Sequence, residues 1–226
     1  MEIKPIAHIR TDFGEKFGIP RQSGLCSLLE GKIVFEPEFA KRESVRGLEE
    51  FSHIWLIWQF SETPPTSSLT VRPPRLGGNK RVGVFASRSP FRPNGLGLSC
   101  VRLKSIEYSS SGEPVINVFG ADLCDKTPIF DIKPYVPLSD CVPDALEGYT
   151  KMTKEHILSV HIPEEKALLL PKNKLAALKE ILQLDPRPGY DDSPEKLYGL
   201  SFAGYNIKFS VKNDVLCVSD IEKIKR

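Results

Sequence analysis

Short apolar segments rich in valine, isoleucine and aromatic residues run through the first two-thirds of the chain, and clusters of glycine and proline separate them. Segments of this composition are typical of β-strands, and helical spacing is rare in this part. A helical turn is predicted at Val45 to Glu50. Short strands divided by turns indicate a β-barrel or a β-sandwich. The seven predicted strands are Ile3 to Arg10, Lys32 to Phe35, His53 to Phe60, Arg81 to Ser87, Leu98 to Glu107, Val115 to Ala121 and Ile129 to Pro134.

One predicted strand lacks the polar face of a half-buried strand. The run Ile54-Trp55-Leu56-Ile57-Trp58 is apolar on both of its faces. A strand of this kind is covered by protein on both sides. The cover is either other parts of this chain or a second subunit.

A change of composition marks a candidate domain boundary. Pro137 to Gly148 is rich in proline and aspartate, which is typical of a turn-rich connection. We therefore expect a first, mainly β domain over residues 1–148 and a second, smaller domain over residues 149–226.

The second domain is predicted to be α+β. Apolar residues at helical spacing predict a helix from Asn173 to Leu184, with Asn173 as its N-cap. Turn signals at Ala203-Gly204 and at Lys212-Asn213-Asp214 then separate three apolar segments, which predicts a small antiparallel meander. The segments are Leu197 to Phe202, Ile207 to Val211 and Val215 to Val218.

Composition is that of an ordinary globular protein, with 40% apolar and 27% charged residues. No apolar run approaches the roughly 20 residues that span a bilayer, and the segment Met1 to Arg10 lacks the apolar core of a signal peptide. The five cysteines are scattered without a CxxC pair, and His156 and His161 are not spaced as a helical metal site. We expect a cytoplasmic protein without a structural metal or a disulfide framework.

Charge is unevenly distributed, although the formal net charge is only +2. No acidic residue occurs between Glu62 and Glu107, so this interval carries about +8 and the rest of the chain about −6. A single arginine could pair with an acid elsewhere in the fold, but the whole set favours contact with an anionic partner. The cations of the interval are Arg72, Arg75, Lys80, Arg81, Arg88, Arg92, Arg102 and Lys104.

Two segments of this interval are candidates for chemistry. Val71 to Arg81 combines prolines, which restrain the backbone, with glycines, which let it approach a ligand, and this suits a phosphate contact; the alternative is a solvated basic loop. Gly83 to Gly95 is predicted as a strand that runs into a turn-rich loop carrying Arg88 and Arg92. Their guanidinium groups suit a carboxylate or a phosphate, and a structural ion pair is the alternative.

Several motifs, in order along most of the chain, resemble the TrmO family, also called TsaA-like. These are Pro20-Arg21-Gln22, the VRPPRLGGN loop from Val71, the RSPFRPN run from Arg88, Asp122 to Pro128, the following DIKPY, and Asp185 to Tyr190 in the second domain. Members of the family are S-adenosylmethionine-dependent tRNA methyltransferases. The resemblance implies a β-barrel outside the Rossmann classes, and the poor match of Gly95-Leu96-Gly97 to GxGxxG agrees with this.

The resemblance also implies the substrate and the assembly. The methyl group goes to the exocyclic N6 amine of a threonylcarbamoyl-adenosine next to the anticodon, and the enzyme acts as a homodimer with the cofactor near the subunit interface. Implied cofactor contacts are Pro20, Arg21, Gln22, Ser61, Glu62, Arg88, Leu98, Asp122, Asp125, Lys126, Thr127 and Pro128. For tRNA binding we assign Arg72, Arg75, Lys80, Arg81 and Arg92.

The chain departs from the family pattern at two places. Ser61-Glu62 stands where the family has His-Gln, and Asp125-Lys126-Thr127-Pro128 stands where it has DGTP. Backbone contacts to a ligand survive such changes, whereas side-chain contacts change.

An exocyclic adenine amine is a poor nucleophile, so the enzyme has to align it and manage its proton. A carboxylate could accept that proton, and Asp122 and Asp125 are the catalytic candidates, with Asp131 nearby. Each could instead cap a turn or pair with an arginine. Two other functions stay open, a non-catalytic S-adenosylmethionine-responsive RNA-binding module and an enzyme that uses S-adenosylmethionine without nucleic acid.

Overall fold

A computed structural model describes residues 2–64, 66–73, 76, 80–152, 157–187, 193 and 196–224. Six antiparallel strands of the first domain close into a barrel in the order β1-β2-β7-β6-β3-β8, with Ala7 of β1 opposite Ile129 of β8 at the closure. The strands in chain order are β1 Ala7–Thr11, β2 Glu30–Phe35, β3 His53–Gln59, β4 Thr70–Val71, β5 Val82–Gly83, β6 Leu96–Tyr108, β7 Pro114–Phe119 and β8 Pro128–Pro134.

Alternating residues of the barrel strands point inward and form its core. Ile9, Ile33, Ile54, Leu56 and Ile116 are completely buried there. This arrangement confirms the barrel that the strand pattern allowed, and it excludes the sandwich. The helical turn predicted at Val45 to Glu50 is present as two 3-10 helices, Arg42–Val45 and Leu48–Glu50.

The strand predicted at Arg81 to Ser87 is wrong. Only Val82–Gly83 pairs there, with Thr70–Val71 in a two-stranded sheet of its own, and a 3-10 helix at Val84–Ala86 follows. Six other strands already close the barrel, so this segment has no barrel edge to pair with. The apolar run Val84-Phe85-Ala86 is too short for its sequence pattern to distinguish a 3-10 helix from a strand.

The outer face of β3 is covered in part by the chain itself. Trp55 lies against the Tyr135 ring, with 5.8 Å between the ring centroids, and its indole Nε1 donates to Asp140 Oδ2 at 3.0 Å. Asp140 ends a short helix, α1, at Pro137–Asp140. The prediction of a strand with cover on both sides is therefore met partly within one chain.

The second domain has a four-stranded sheet and two helices, α2 Glu164–Ala167 and α3 Lys172–Gln183. Its strands are β9 Ser159–His161, β10 Tyr198–Phe202, β11 Tyr205–Lys212 and β12 Val215–Lys223, in the order β10-β11-β12-β9. The predicted meander is confirmed, and its two turns use residues with positive φ. The parallel strand β9 was not predicted because three residues carry no readable periodicity.

The predicted helix is confirmed within one residue at each end, but its predicted N-cap is wrong. Pro171 occupies the N-cap position, and no side chain caps the helix there. Asn173 is the second residue of α3, and its Nδ2 lies 3.4 Å from Glu30 Oε2. Proline has no N–H to satisfy and can stand before the first turn, so the N-cap lies two residues before Asn173 and the helix starts one residue earlier than predicted.

An apolar cluster joins the barrel to the second domain. Phe13, Cys26 and Leu29 of the β1–β2 connection pack with Leu200 and Phe202 of β10 and with the buried face of α3. The 3-10 helix Gly148–Met152 lies at the predicted boundary between residues 148 and 149, which stays a prediction. Among the described residues no helix is both long and apolar enough to cross a membrane.

Candidate functional site

A cavity of about 480 Å³ opens at one end of the barrel. Its wall is built from the β1–β2 connection, the end of β3, the loop before β6, the start of β6 and the loop before β8. The lining residues are Lys16, Ile19, Pro20, Arg21, Gln22, Trp58, Gln59, Phe60, Ser61, Glu62, Thr63, Ser87, Arg88, Pro90, Arg92, Leu96, Gly97, Leu98, Asp122, Leu123, Cys124 and Thr127.

Aromatic rings form the apolar part of this cavity. Trp58 at the end of β3 packs edge to face on Phe60, with ring centroids 4.3 Å apart. The indole lies directly on the backbone of Gly97, where a Cβ would come within 2.4 Å of Trp58 Cε2. A glycine is therefore required at position 97 for the indole to occupy this place.

A half-buried carboxylate, that of Asp122, forms the polar part. Asp122 Oδ1 accepts a hydrogen bond of 2.6 Å from Ser99 Oγ, and Ser99 is completely buried. Burial raises the pKa of the Asp122 carboxyl above its ordinary value, against the opposing effects of the Ser99 hydroxyl, two backbone N–H groups and the Arg88 charge. A carboxylate of this kind is more basic than one exposed to water.

Cationic side chains surround the cavity on its outer side. Arg88 Nη1 donates to Gln22 Oε1, which links the loop before β6 to the β1–β2 connection. Arg92 Nη1 donates to the carbonyl of Ser87 at 3.1 Å. Lys16 Nζ donates to the carbonyl of Glu62 and to Thr63 Oγ1, the latter at 3.1 Å. These contacts hold the cations around the opening.

The structure brings together most of the residues assigned to the cofactor. Pro20, Arg21, Gln22, Ser61, Glu62, Arg88, Leu98, Asp122 and Thr127 line the cavity. Asp125, Lys126 and Pro128 are not among its lining residues. Asp125 instead accepts from the Thr11 backbone N–H at 3.1 Å and lies 3.6 Å from the Arg10 guanidinium. Lys126 adopts φ +66° with an exposed side chain.

The residues assigned to tRNA are divided between two places. Arg72, Lys80 and Arg81 are exposed on the β4–β5 hairpin, and Arg81 Nε donates to Thr70 Oγ1 at 2.7 Å. Arg75 lies outside the described residues. Arg92 lies with Arg88 in the cavity wall instead of on the hairpin.

Two cations of the interval between Glu62 and Glu107 contact residues of the barrel and lie outside both the cavity lining and the hairpin. Lys104 Nζ lies 2.5 Å from Glu30 Oε1 and also contacts the Phe119 ring, and Arg102 lies over the same ring. The Lys104 hydrogen bond lowers the pKa of Glu30. For Lys104 the alternative of an acidic partner within the fold was correct, whereas Arg102 contacts an aromatic ring.

Sequence reasoning missed several residues of the site. Trp58 and Phe60 were assigned only to an apolar strand, and Gly97 was considered only as part of a poor nucleotide-binding match. Ser99 carries no signal at all, because an isolated serine in a strand is common. Only closure of the barrel brings β3, β6 and the loop before β8 to one point.

Together the barrel and its cavity define a β-barrel protein that binds a small ligand at one strand end, in a pocket with an aromatic wall, a half-buried carboxylate and a cationic rim. The model of the tRNA-methyltransferase O N-terminal domain matches residues 8–141, and that of the TrmO C-terminal domain matches residues 158–224. The chain belongs to the tRNA-methyltransferase O family.

Relatives match nearly the whole chain. The tRNA (adenine(37)-N6)-methyltransferase of Escherichia coli K12 is 38% identical over 219 residues, 93% of each chain. A putative S-adenosylmethionine-dependent methyltransferase, RcsF, of Pseudomonas aeruginosa is 37% identical and covers 97% of this chain and 96% of its own. The crystal structure of TrmO from Pseudomonas aeruginosa superposes with a TM-score of 0.79 at 32% identity, over 98% of each chain.

Proposed function

We propose that this chain is an enzyme that transfers a methyl group from S-adenosylmethionine to the exocyclic N6 amine of an adenosine in tRNA. The observation that carries the proposal is the cavity, which gathers nine of the assigned cofactor residues from five separate parts of the chain. Full-length relatives with tRNA methyltransferase names support it.

The cavity fits the cofactor by size and by chemistry. Its volume of about 480 Å³ lies within the usual range for small-ligand sites, about 300 to 1,000 Å³. S-adenosylmethionine carries a flat adenine, a sulfonium and a carboxylate. Trp58 and Phe60 provide aromatic surface suited to adenine or to a cation, and Arg88 provides donors suited to a carboxylate.

Residues of the chain then have distinct roles in this proposal. The cofactor supplies an electrophilic methyl group on a sulfonium. Pro20, Arg21 and Gln22 hold it from one side and Arg88 from the other, an arrangement that the Arg88–Gln22 hydrogen bond supports. Alignment of the amine and the methyl group within the pocket provides most of the acceleration.

For the nucleic acid we propose tRNA that already carries threonylcarbamoyl-adenosine next to the anticodon. Arg72, Lys80 and Arg81 on the β4–β5 hairpin contact its phosphates, which makes affinity depend on salt. We extend the proposal to a homodimer in the cytoplasm. The exposed apolar side chains Leu138, Val142 and Leu146, which follow the barrel, support a second subunit.

The test uses cofactor labelled in its methyl group. The protein is incubated with anticodon-arm tRNA that carries or lacks the threonylcarbamoyl group, and label in the RNA is counted. We expect label only in the modified RNA. Tight binding of both ligands without any transfer would contradict the enzyme and would favour a binding module, and transfer to both RNAs would contradict the substrate.

A further inference from the structure

We infer that Asp122, which the family resemblance assigned to the cofactor, instead accepts the proton of the target amine, and that Ser99 and Trp58 form a buried hydrogen-bond chain that positions it. The inference rests on the proposed methyl transfer and deepens it. As the nitrogen–carbon bond forms and the carbon–sulfur bond breaks, the electron pair stays on sulfur and the N6 proton passes to the Asp122 carboxylate.

The direction of the chain follows from the donors available. An indole N–H can only donate, and Trp58 Nε1 lies 2.9 Å from Ser99 Oγ. Ser99 Oγ therefore accepts from Trp58, and its single proton is directed to Asp122 Oδ1 at 2.6 Å. With Ser99 completely buried and Trp58 nearly so, no bulk water competes for these bonds.

The same carboxylate is anchored from a second side. The backbone N–H of Ser23 lies near enough to Asp122 to lower the pKa of its carboxyl, and Ser23 Oγ accepts from the Cys100 backbone N–H at 3.1 Å. Asp122 is thus fixed between β6 and the β1–β2 connection while it faces the cavity. A fixed position beside the bound substrate suits a general base.

Other carboxylates are less suited to this role. Asp125 is engaged with Thr11 and Arg10 and does not line the cavity. Asp131 pairs with Lys133 at 2.9 Å and is also outside the lining. Glu62 lines the cavity but is exposed, so it lacks a fixed position.

The first experiment compares Asp122→Asn with the wild type in single-turnover methyl transfer and in calorimetry with S-adenosylmethionine. An amide still accepts from Ser99, so the fold and the pocket are preserved. We expect the rate to fall by roughly 10² to 10⁴ and cofactor affinity to stay within about threefold. An equal loss of affinity and rate would make Asp122 a cofactor contact and overturn the inference. So would an unchanged rate, especially if Glu62→Gln or Asp125→Asn abolished transfer.

The second experiment tests the positioning role of Ser99. The Ser99 hydroxyl stabilises the ionised carboxylate, so Ser99→Ala should raise the pKa of Asp122 further and move the acid limb of the pH–rate profile to higher pH. Trp58→Phe removes the bond to Ser99 but also alters the aromatic wall, so its effect is read in the pKa of Asp122 in the ligand-free protein, where a smaller shift in the same direction is expected. The charged or titratable groups around Asp122 in the cavity are Lys16, Arg21, Glu62, Arg88, Arg92 and Cys124.

A readout without turnover separates this inference from the proposed function. Carboxyl-carbon NMR of the ligand-free protein reports the pKa of Asp122 directly. Ser105→Ala is the matched control, because Ser105 is also on β6 and accepts from Asn117 Nδ2 at 3.0 Å outside the cavity lining. An unchanged Asp122 pKa in Ser99→Ala, or an equal shift in Ser105→Ala, would refute the chain. Absence of methyl transfer by the wild type would instead refute the proposed function.

Discussion

The cavity and the joint between the two domains lie on opposite sides of one segment, the β1–β2 connection, and they are stabilised by different means. The cavity side carries Lys16 and Gln22, which are held by side-chain hydrogen bonds to Glu62, Thr63 and Arg88. The joint side carries Phe13 and Cys26, which are buried in apolar packing. The β1–β2 connection therefore links the apolar packing at the joint to the polar groups of the cavity.

Polar bonds at the joint add orientation to this packing. Lys174 Nζ of α3 lies 2.6 Å from Asp12 Oδ2, and Glu180 accepts from Ser27 Oγ and from the Leu28 N–H, each at 2.9 Å. The joint therefore has the character of a domain core with a polar border. In contrast, the cavity has an open side on which each lost hydrogen bond changes affinity more than stability.

The largest expected effect is on the joint. Phe202→Ala removes a completely buried ring that packs on Phe13 with 5.4 Å between ring centroids, and we expect the free energy of unfolding to fall by about 3 to 5 kcal/mol. Denaturant titration measures it. The control is Leu168→Ala, at an exposed position, with an expected change within about 0.5 kcal/mol. A small loss in Phe202→Ala would mean that the domains are joined chiefly by polar bonds.

The next largest effect is expected from a substitution at Gly18, where the β1–β2 connection contacts the second domain. Gly18 has φ +84°, and a Cβ there would lie 2.1 Å from Leu200 Cδ1 across the joint. Gly18→Ala should therefore displace the connection, with a cost of about 1 to 3 kcal/mol for the overlap and a loss of cofactor affinity of about tenfold. Calorimetry measures the affinity.

Gly24→Ala is the matched control for this substitution. Gly24 has nearly the same φ, +80°, in the same segment, but its Cβ would meet nothing within 4 Å. The difference between the two variants isolates the contact with Leu200 from backbone strain. Equal cofactor affinities would show that the cavity is independent of the joint.

The strands of both domains could be predicted from the sequence, whereas the contacts inside the cavity could not. Short segments rich in β-branched and aromatic residues, bounded by glycine and proline, predicted six barrel strands, because these signals are local in the sequence. Turn residues with positive φ predicted the meander of the second domain in the same way. The Ser99–Asp122 hydrogen bond and the Gly97–Trp58 contact could not be predicted from the sequence, because closure of the barrel determines which strand ends meet. The strand at Arg81 to Ser87 failed for the same reason, since pairing depends on an available edge.

A division of labour between the cavity and the hairpin can be tested on two arginines. Arg88→Ala removes a cation from the cavity wall, and we expect cofactor affinity to fall roughly ten- to a hundredfold, the usual effect of losing hydrogen bonds to a charged group. Arg72→Ala should leave that affinity unchanged and reduce the salt slope of tRNA binding by about 1. Calorimetry measures the affinity for the cofactor, and RNA binding at several salt concentrations measures the salt slope. If Arg88→Ala abolished RNA binding and spared the cofactor, the assignment would be reversed.

The smallest expected effect concerns a departure from the family pattern beside the cavity. Lys126 stands where the family has glycine, yet its φ of +66° is in the left-handed region. That conformation costs a lysine about 1 to 2 kcal/mol, whereas glycine adopts it freely but loses more entropy on folding. Lys126→Gly should therefore raise the free energy of unfolding by about 0.5 to 1 kcal/mol. Asn213→Gly, at φ +50°, is the matched control with a smaller gain, because asparagine tolerates this region. A loss of stability in Lys126→Gly would show that the lysine side chain makes a contact that offsets its backbone strain, and the departure would then be a feature of the site and not of the turn.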